Sequence, residues 1–176
     1  KKLNMSLKNL SVKIKIPKFF QKKLSNKKIN SIYKKFEKSL NIKENFIVAV
    51  SGGPDSLALA FLAKIYSIKN KLNLRFFIVD HKLRPESTKE AKAVKNILKK
   101  HSINLEILTW NRKKKKKNVQ SIARKKRYEL LLKKCDQLKI KNILLAHHQD
   151  DLFENFFIRI VRGSGLKGLI SFDKKT

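Results

Sequence analysis

The sequence is poor in cysteine, in acidic residues and in long apolar runs, and each shortage excludes something. The one cysteine, Cys135, rules out an internal disulfide framework and a metal cluster held by cysteines alone. It suits a reducing compartment, and the cytoplasm is the expected location. No run of about 18 apolar residues exists, so no membrane span is expected. The N-terminus is rich in lysine but lacks the apolar segment and small-residue cleavage site of a signal peptide. Acidic residues number 13 against 44 basic ones, a formal net charge of +31. That excess suggests a polyanionic partner such as nucleic acid. Seven of the basic residues are arginine and the rest lysine. Abundant Lys, Asn, Ile and Phe also match the coding bias of an AT-rich genome, so charge alone is weak support for RNA or DNA.

What is there is a chain of 176 residues with 41% hydrophobic content, enough for one domain with a real core, plus an arm. Residues 1–26 read as a basic arm and 27–176 as the domain. From Ile29, apolar residues at Ile29, Ile32, Tyr33, Phe36 and Leu40 mark an amphipathic helix. Short apolar runs then alternate with helical patterns. Strands are expected at Phe46–Val50, Leu74–Asp80, Asn104–Trp110 and Asn142–Ala146. Helices are expected at Leu57–Ile68, Pro85–Lys100 (with the proline in the favoured first turn), Val119–Lys139 and Asp150–Val161. The alternation implies an α/β fold, a doubly wound parallel sheet with helices on both faces. Ligands of such sheets bind beyond the carboxyl ends of the strands. Each polar cluster here follows a strand: "SGGPDS", "DHKLRPES", "NRKKKKK" and "HHQDD".

The first cluster carries the sharpest signal. In Ser51-Gly52-Gly53-Pro54-Asp55-Ser56 the glycines allow close backbone approach and Pro54 stiffens the turn. Ser56 is placed to cap the next helix. A helix N-terminus adds free N–H groups and partial positive charge, which together make a phosphate site. A plain capped turn would need fewer small residues. The loop is not G-x-x-x-x-G-K-[ST], because no lysine follows the glycines, and it is not G-x-G-x-x-G.

Other residues have chemistry with open alternatives. Asp55, Asp150 and Asp151 are carboxylates near an expected triphosphate, where Mg²⁺ takes oxygen ligands. Asp55 and Asp151 are the expected metal contacts, with a helix cap as the other role for Asp150. Of His147 and His148, one is placed to contact phosphate and the other to pack. A zinc site is a poor reading, given four histidines, one cysteine and no ligand spacing. Asp80, His81 and Arg84 either line the nucleotide or base pocket or, with Glu86, form a surface ion pair. Arg124 and Arg127 share a helix face and can hold phosphate. Arg162 with Gly163, Ser164 and Gly165 repeats the pattern of small residues beside a cation. The lysines at 113–117 are a solvated loop or a contact to RNA phosphates.

The order S-G-G-x-D-S resembles the PP-loop of the N-type ATP pyrophosphatases, which cleave ATP between the α- and β-phosphates. "VDHKLRPES", "NVQSIARKKRY", "LLAHHQDDLFEN" and "RGSGLKGL" follow in order. The set is similar to the N-terminal catalytic domain of the tRNA(Ile)-lysidine synthetase family, over roughly Ile29 to Leu169. Leu152 and Asn155 depart from that family's usual Gln and Thr, while Glu154 is kept. The resemblance implies ATP and Mg²⁺ as cofactors, with isoleucine tRNA carrying a CAU anticodon and free L-lysine as partners. A homodimer is one option for the assembly. It implies adenylation of the C2 oxygen of the wobble cytidine, then displacement of AMP by the lysine amine to give lysidine. It makes Asp55, His147, Asp150, Asp151 and Arg127 the expected catalytic residues, and Ser51 to Ser56 the nucleotide loop. Members of that family carry further C-terminal domains that grip tRNA, so a truncation before them is expected. A tRNA thiolase of the same superfamily and a non-catalytic RNA-binding module are the competing readings. The single cysteine weighs against the first and the clustered acids against the second.

Overall fold

A computed structural model describes residues 16–110 and 119–146. Four parallel strands form one sheet in the order β3-β2-β1-β4. They are β1 (Phe46–Ala49), β2 (Leu74–Asp80), β3 (Leu105–Thr109) and β4 (Asn142–Leu145). The helices are α1 (Lys18–Leu24), α2 (Lys27–Ser39), α3 (Pro54–Lys69), α4 (Ser87–Lys99) and α5 (Val119–Leu138). The expected strands and helices within these residues are present. The helix expected at Asp150–Val161 lies outside the described residues.

Because strand side chains alternate in direction, the sheet has two apolar faces. Phe46, Val48, Phe76, Ile78 and Leu105 join one core with Tyr33 of α2, Ala60 and Ala63 of α3, and Ala91 and Leu98 of α4. Ile47 and Phe77 point the other way, against Leu131 and Cys135 of α5. Helices therefore cover both faces, as a parallel sheet requires. Alanines on α3 let that helix lie close to the sheet. On α5 the stripe runs through Ala123, Leu131 and Cys135, whereas Leu138, at the helix end, is 38% exposed.

The basic N-terminal segment enters the core. Asn26 caps α2 by accepting from the amides of Lys28 and Ile29 at 3.0 and 3.2 Å, a strong local start signal. Just before it, α1 buries Phe20 to 1% exposure, edge-on to Phe19 with ring centroids 5.4 Å apart. Packed structure thus begins within the stretch read as an arm, at α1. The helix pair is tied to α3 by the Tyr66 hydroxyl, set within 3.1 and 2.8 Å of the carbonyls of Leu40 and Ile42. Lys69 adds a 3.2 Å ion pair to Glu37 and sits 4.5 Å from the Tyr33 ring centroid.

Pro85 is not in the first turn of α4. The helix starts two residues later, at Ser87, and Pro85 occupies a turn closed by the Ser87 amide on the Arg84 carbonyl at 3.1 Å. The reason lies in Asp80, whose carboxylate takes the Ser87 and Thr88 hydroxyls and so fixes where the helix can begin. Among the described residues no helix is long and apolar enough to cross a membrane.

The arm-derived contact is testable. Phe20→Ala leaves a large void under α1 and should lower unfolding free energy by about 3–5 kcal/mol. Urea denaturation would detect it, and a loss under about 1 kcal/mol would mean that α1 is not part of the core.

Candidate nucleotide site

The strand order sets the place of the site. β2 and β3 extend the sheet to one side of β1, and β4 adds on the other side. The direction of growth reverses between β1 and β4, and a crevice opens beyond their carboxyl ends. Register aligns Ala49 with Leu145, so the chain leaves both strands at the same level. The Ser51–Ser56 loop begins there.

That loop is built by its own side chains. Gly52 has φ +94°, a conformation closed to residues with a Cβ. A Cβ at Gly52 would also meet Val94 Cγ2 at 3.1 Å. Pro54 opens α3, with Gly53 at the cap position making no side-chain cap bond. Ser56 therefore does not cap α3 as expected from the sequence. It lies inside the first turn, 2% exposed. Its Oγ accepts from the Gly52 amide at 3.1 Å, donates to the Gly53 carbonyl at 2.9 Å and lies 3.1 Å from Ser51 Oγ. One hydroxyl thus freezes the glycine pair from beneath, while the loop's outer side faces a cavity. The first-turn amides of α3 have no intrahelical acceptor and sit at its positive end. Asp55 is solvent-exposed in that same turn.

The cavity measures about 490 Å³. Ser51 and Gly52 form one side, Asp80, His81 and Arg84 another. Ile78, Ala91 and Val94 supply an apolar wall, and Arg127 reaches it from α5. The fold thus gathers the first two clusters and Arg127 into one place. Arg124, one turn earlier, is exposed and does not line the cavity. His147, His148, Asp150, Asp151, Arg162 and the lysines at 113–117 lie outside the described residues.

Arg84 does not pair with Glu86. Its Nη2 binds Glu90 at 2.9 and 3.3 Å, with both side chains more than half exposed. A pair so open to water stabilises little. Asp80, by contrast, is 2% exposed. Burial alone would raise its pKa. Hydrogen bonds from Thr88, the Lys82 amide and Ser87, with the Lys82 charge, outweigh burial and hold it below the usual carboxylate value. Asp80 is therefore an ionised wall residue whose oxygens are already engaged. Ser87 and Thr88 were not singled out from the sequence. An acid seven and eight residues ahead of a Ser-Thr pair, with a proline turn between, is the signal that points to them.

His81 lies edge-on to Trp110, ring centroids 6.2 Å apart. Neither ring nitrogen has a hydrogen-bond partner among the described residues. Burial, then the Arg127 charge, push its pKa below 6.5, with Asp80 opposing. Among the described residues no group of three or more His, Cys, Asp or Glu side chains is arranged to hold a metal. Asp55, in the first turn of α3, offers one exposed carboxylate, which fits an ion such as Mg²⁺ that keeps most of its waters.

Comparison with known proteins makes the class of this α/β fold specific. The PP-loop domain family matches residues 21–176, and the chain belongs to that family. It is similar to tRNA(Ile)-lysidine synthases. That of Wolbachia pipientis wMel is 46% identical over 131 residues, 73% of this chain and 30% of that protein. Those of Orientia tsutsugamushi and Rickettsia bellii are 45% and 38% identical, over 70% and 80% of this chain and 28% and 34% of their own lengths. The chain spans about a third of the length of these relatives. A solved structure of the U34-tRNA thiolase NcsA from Methanococcus maripaludis, with its [4Fe-4S] cluster, shares the fold. The TM-score is 0.68 at 20% identity, covering 79% of this chain and 51% of that one.

Two outcomes check the site. Gly52→Ala should cost about 1–3 kcal/mol of stability through backbone strain and abolish ATP binding measured by calorimetry. Wild-type affinity in that variant would remove the loop from the site. For His81 the sign follows from linkage. The unfolded imidazole binds a proton near pH 6.5, and the folded one only at lower pH. Stability should therefore fall as pH drops through the unfolded value towards the folded one. In thermal melts from pH 8 to 5, His81→Gln should reduce this fall, and an unchanged slope would show that His81 does not contribute.

Proposed function

We propose that this chain is the ATP-using part of a tRNA(Ile)-lysidine synthase. It would join lysine to C2 of the wobble cytidine of an isoleucine tRNA with a CAU anticodon, releasing AMP and pyrophosphate. The observation that carries the reading is the cavity at the carboxyl edge of the sheet. There the glycine turn at Ser51 and Gly52, which has no Walker lysine after it, and Arg127 face one space. Sequence similarity to lysidine synthases supports the specific reaction.

In this reading the apolar wall of Ile78, Ala91 and Val94 takes the adenosine, and the Ser51–Gly53 backbone takes the phosphates. The C2 oxygen of cytidine attacks the α-phosphorus, the α–β bridge bond breaks, and pyrophosphate leaves with its electron pair. The lysine amine then attacks C2. The C2–O bond breaks, AMP departs with that oxygen, and the amine gives up a proton. Negative charge builds on the phosphates in the first step, and Arg127 is placed to stabilise it. Mg²⁺, when bound with ATP, would neutralise phosphate charge. Asp55 is the described residue that would hold it, and Asp151 is its proposed partner. His147 and Asp150 are proposed to act at the same phosphates. Substrate tRNA and free L-lysine place the reaction in the cytoplasm.

The thiolase reading fits the residues less well. Fe–S clusters are held by cysteine thiolates, and this chain's one cysteine is buried on the sheet-facing side of α5, with a pKa raised by burial and by Asp136.

The test is incubation of the full-length protein with ATP, labelled lysine and isoleucine tRNA bearing CAU. Label should enter the tRNA, and a folded protein that transfers none sinks the reading. Asp55→Ala should lower pyrophosphate release by at least about a hundredfold without changing the circular dichroism spectrum. Release at the wild-type rate would falsify the metal-site role.

A further inference from the structure

Asp80 is bound from four directions. Its carbonyl accepts from the Trp110 amide at 2.9 Å. Its Oδ1 accepts from the Lys82 amide at 2.9 Å and the Ser87 hydroxyl at 2.8 Å, and its Oδ2 from the Thr88 hydroxyl at 2.6 Å. These donors sit at both ends of the loop 81–86. Lys82 opens the loop with φ +48°, a left-handed conformation that costs a side-chain-bearing residue free energy and needs an external hold. Ser87 and Thr88 close it as the first residues of α4. Between these ends the loop delivers His81, Leu83 and Arg84 to the cavity.

The helix does not need this clamp in order to dock. Ala91 and Leu98, 4% and 0% exposed, anchor α4 to the sheet further along. Cutting the clamp should free the loop and leave the core intact. The Arg84–Glu90 pair that joins the loop to α4 is open to water and weak.

We propose that Asp80 is a positioning residue for nucleotide binding, holding loop 81–86 so that His81 and Arg84 face the nucleoside triphosphate. This rests on the cavity being the ATP site. Both of its carboxylate oxygens already accept from the loop and the helix start, so its role is to hold these segments in place. A carboxylate there does what a neutral acceptor would do less well, since hydrogen bonds to an ionised group are about twice as strong as neutral ones.

The experiment measures KM for ATP and kcat for pyrophosphate release at saturating lysine and tRNA, with thermal melts alongside. Asp80→Ala should raise KM for ATP about tenfold and lower kcat no more than about threefold. Thr88→Val removes one donor and leaves no unpaired charge on the helix. It should raise KM about two- to fivefold with little loss of fold, which keeps the test decisive even where Asp80→Ala folds poorly. Asp80→Asn retains one acceptor oxygen and should fall between them. Wild-type KM in Thr88→Val and Asp80→Asn, whatever their melting temperatures, overturns the proposal and reduces Asp80 to a fold contact. A wild-type protein that releases no pyrophosphate fails the function, not the clamp. Amide hydrogen exchange over residues 81–86 then decides, with faster exchange in Thr88→Val supporting the clamp and an unchanged rate overturning it.

Discussion

The structure depends on β1 being hydrogen-bonded on both sides in a parallel sheet. Parallel pairing of β1 with both β2 and β4 demands helical crossovers, and those helices must cover both faces. The chain leaves β1 through α3 towards β2 on one side, and reaches β4 on the other side from β3 through α5. The turn after β1 therefore stands in a gap that no crossover fills. A phosphate loop placed after β2 or β3 would have a neighbouring crossover above it. Phe46, Ile47 and Val48 have no measurable exposure, and their burial fixes the strand that aims the loop. Chemistry at residue 52 is thus set by hydrophobic residues at 46–48.

The polar groups that the described residues bury confirm how much of the interior serves this edge. Only Ser56, Ser67 and Asp80 are buried polar residues among those described, and two of the three flank the cavity. Burying such groups is costly unless each is hydrogen-bonded. Ser56 and Asp80 are bonded on several sides, and the bonds run to loop backbone and helix starts, not across the core. Each converts a flexible connection into a defined surface. Ser56 does so for the glycine pair, and Asp80 for the segment carrying Arg84. Preorganisation of this kind lowers what ligand binding must spend on ordering the loops.

The sheet was legible because its signals are local and redundant. A run such as "FIVAV" reads as a buried strand, and the helix patterns between such runs leave little choice of architecture. The Ser51–Ser56 loop was legible for the same reason, since glycine pairs and proline constrain the backbone directly. What was not legible depended on partners far apart in sequence. Phe19 and Phe20 read as part of a basic arm, because the rings they pack against lie some forty and eighty positions away, Phe61 beside Phe20 and His101 stacked on Phe19. Pro85 looked like a helix first turn, because proline is at home there. Asp80 moved the start by capturing Ser87 and Thr88. Ser56 looked like a cap, because serine before a helical run usually is one. Pro54 entered the helix first and left Ser56 inside it. For Phe20 and Pro85 a contact further along the chain outweighed a sound local preference, and for Ser56 a neighbouring proline did.

Charge belongs to a different level of the argument. With 44 basic and 13 acidic residues, pairing every acid would still leave most cations unneutralised. The described lysines on α2 and α4, apart from half-buried Lys95, are exposed, spread over helices that pack on the sheet through their other sides. A field from so many surface charges attracts any polyanion and weakens with salt, and it carries no information about which polyanion or which atom reacts. That information has to come from fixed geometry. It is present where Gly52 permits a backbone shape that other residues cannot adopt, and where Arg127 crosses to the same cavity from the opposite face of the sheet. The two kinds of cation therefore differ in what their loss should do. Removing a helix lysine changes association and its salt dependence, whereas removing Arg127 takes a cation from the cavity wall itself.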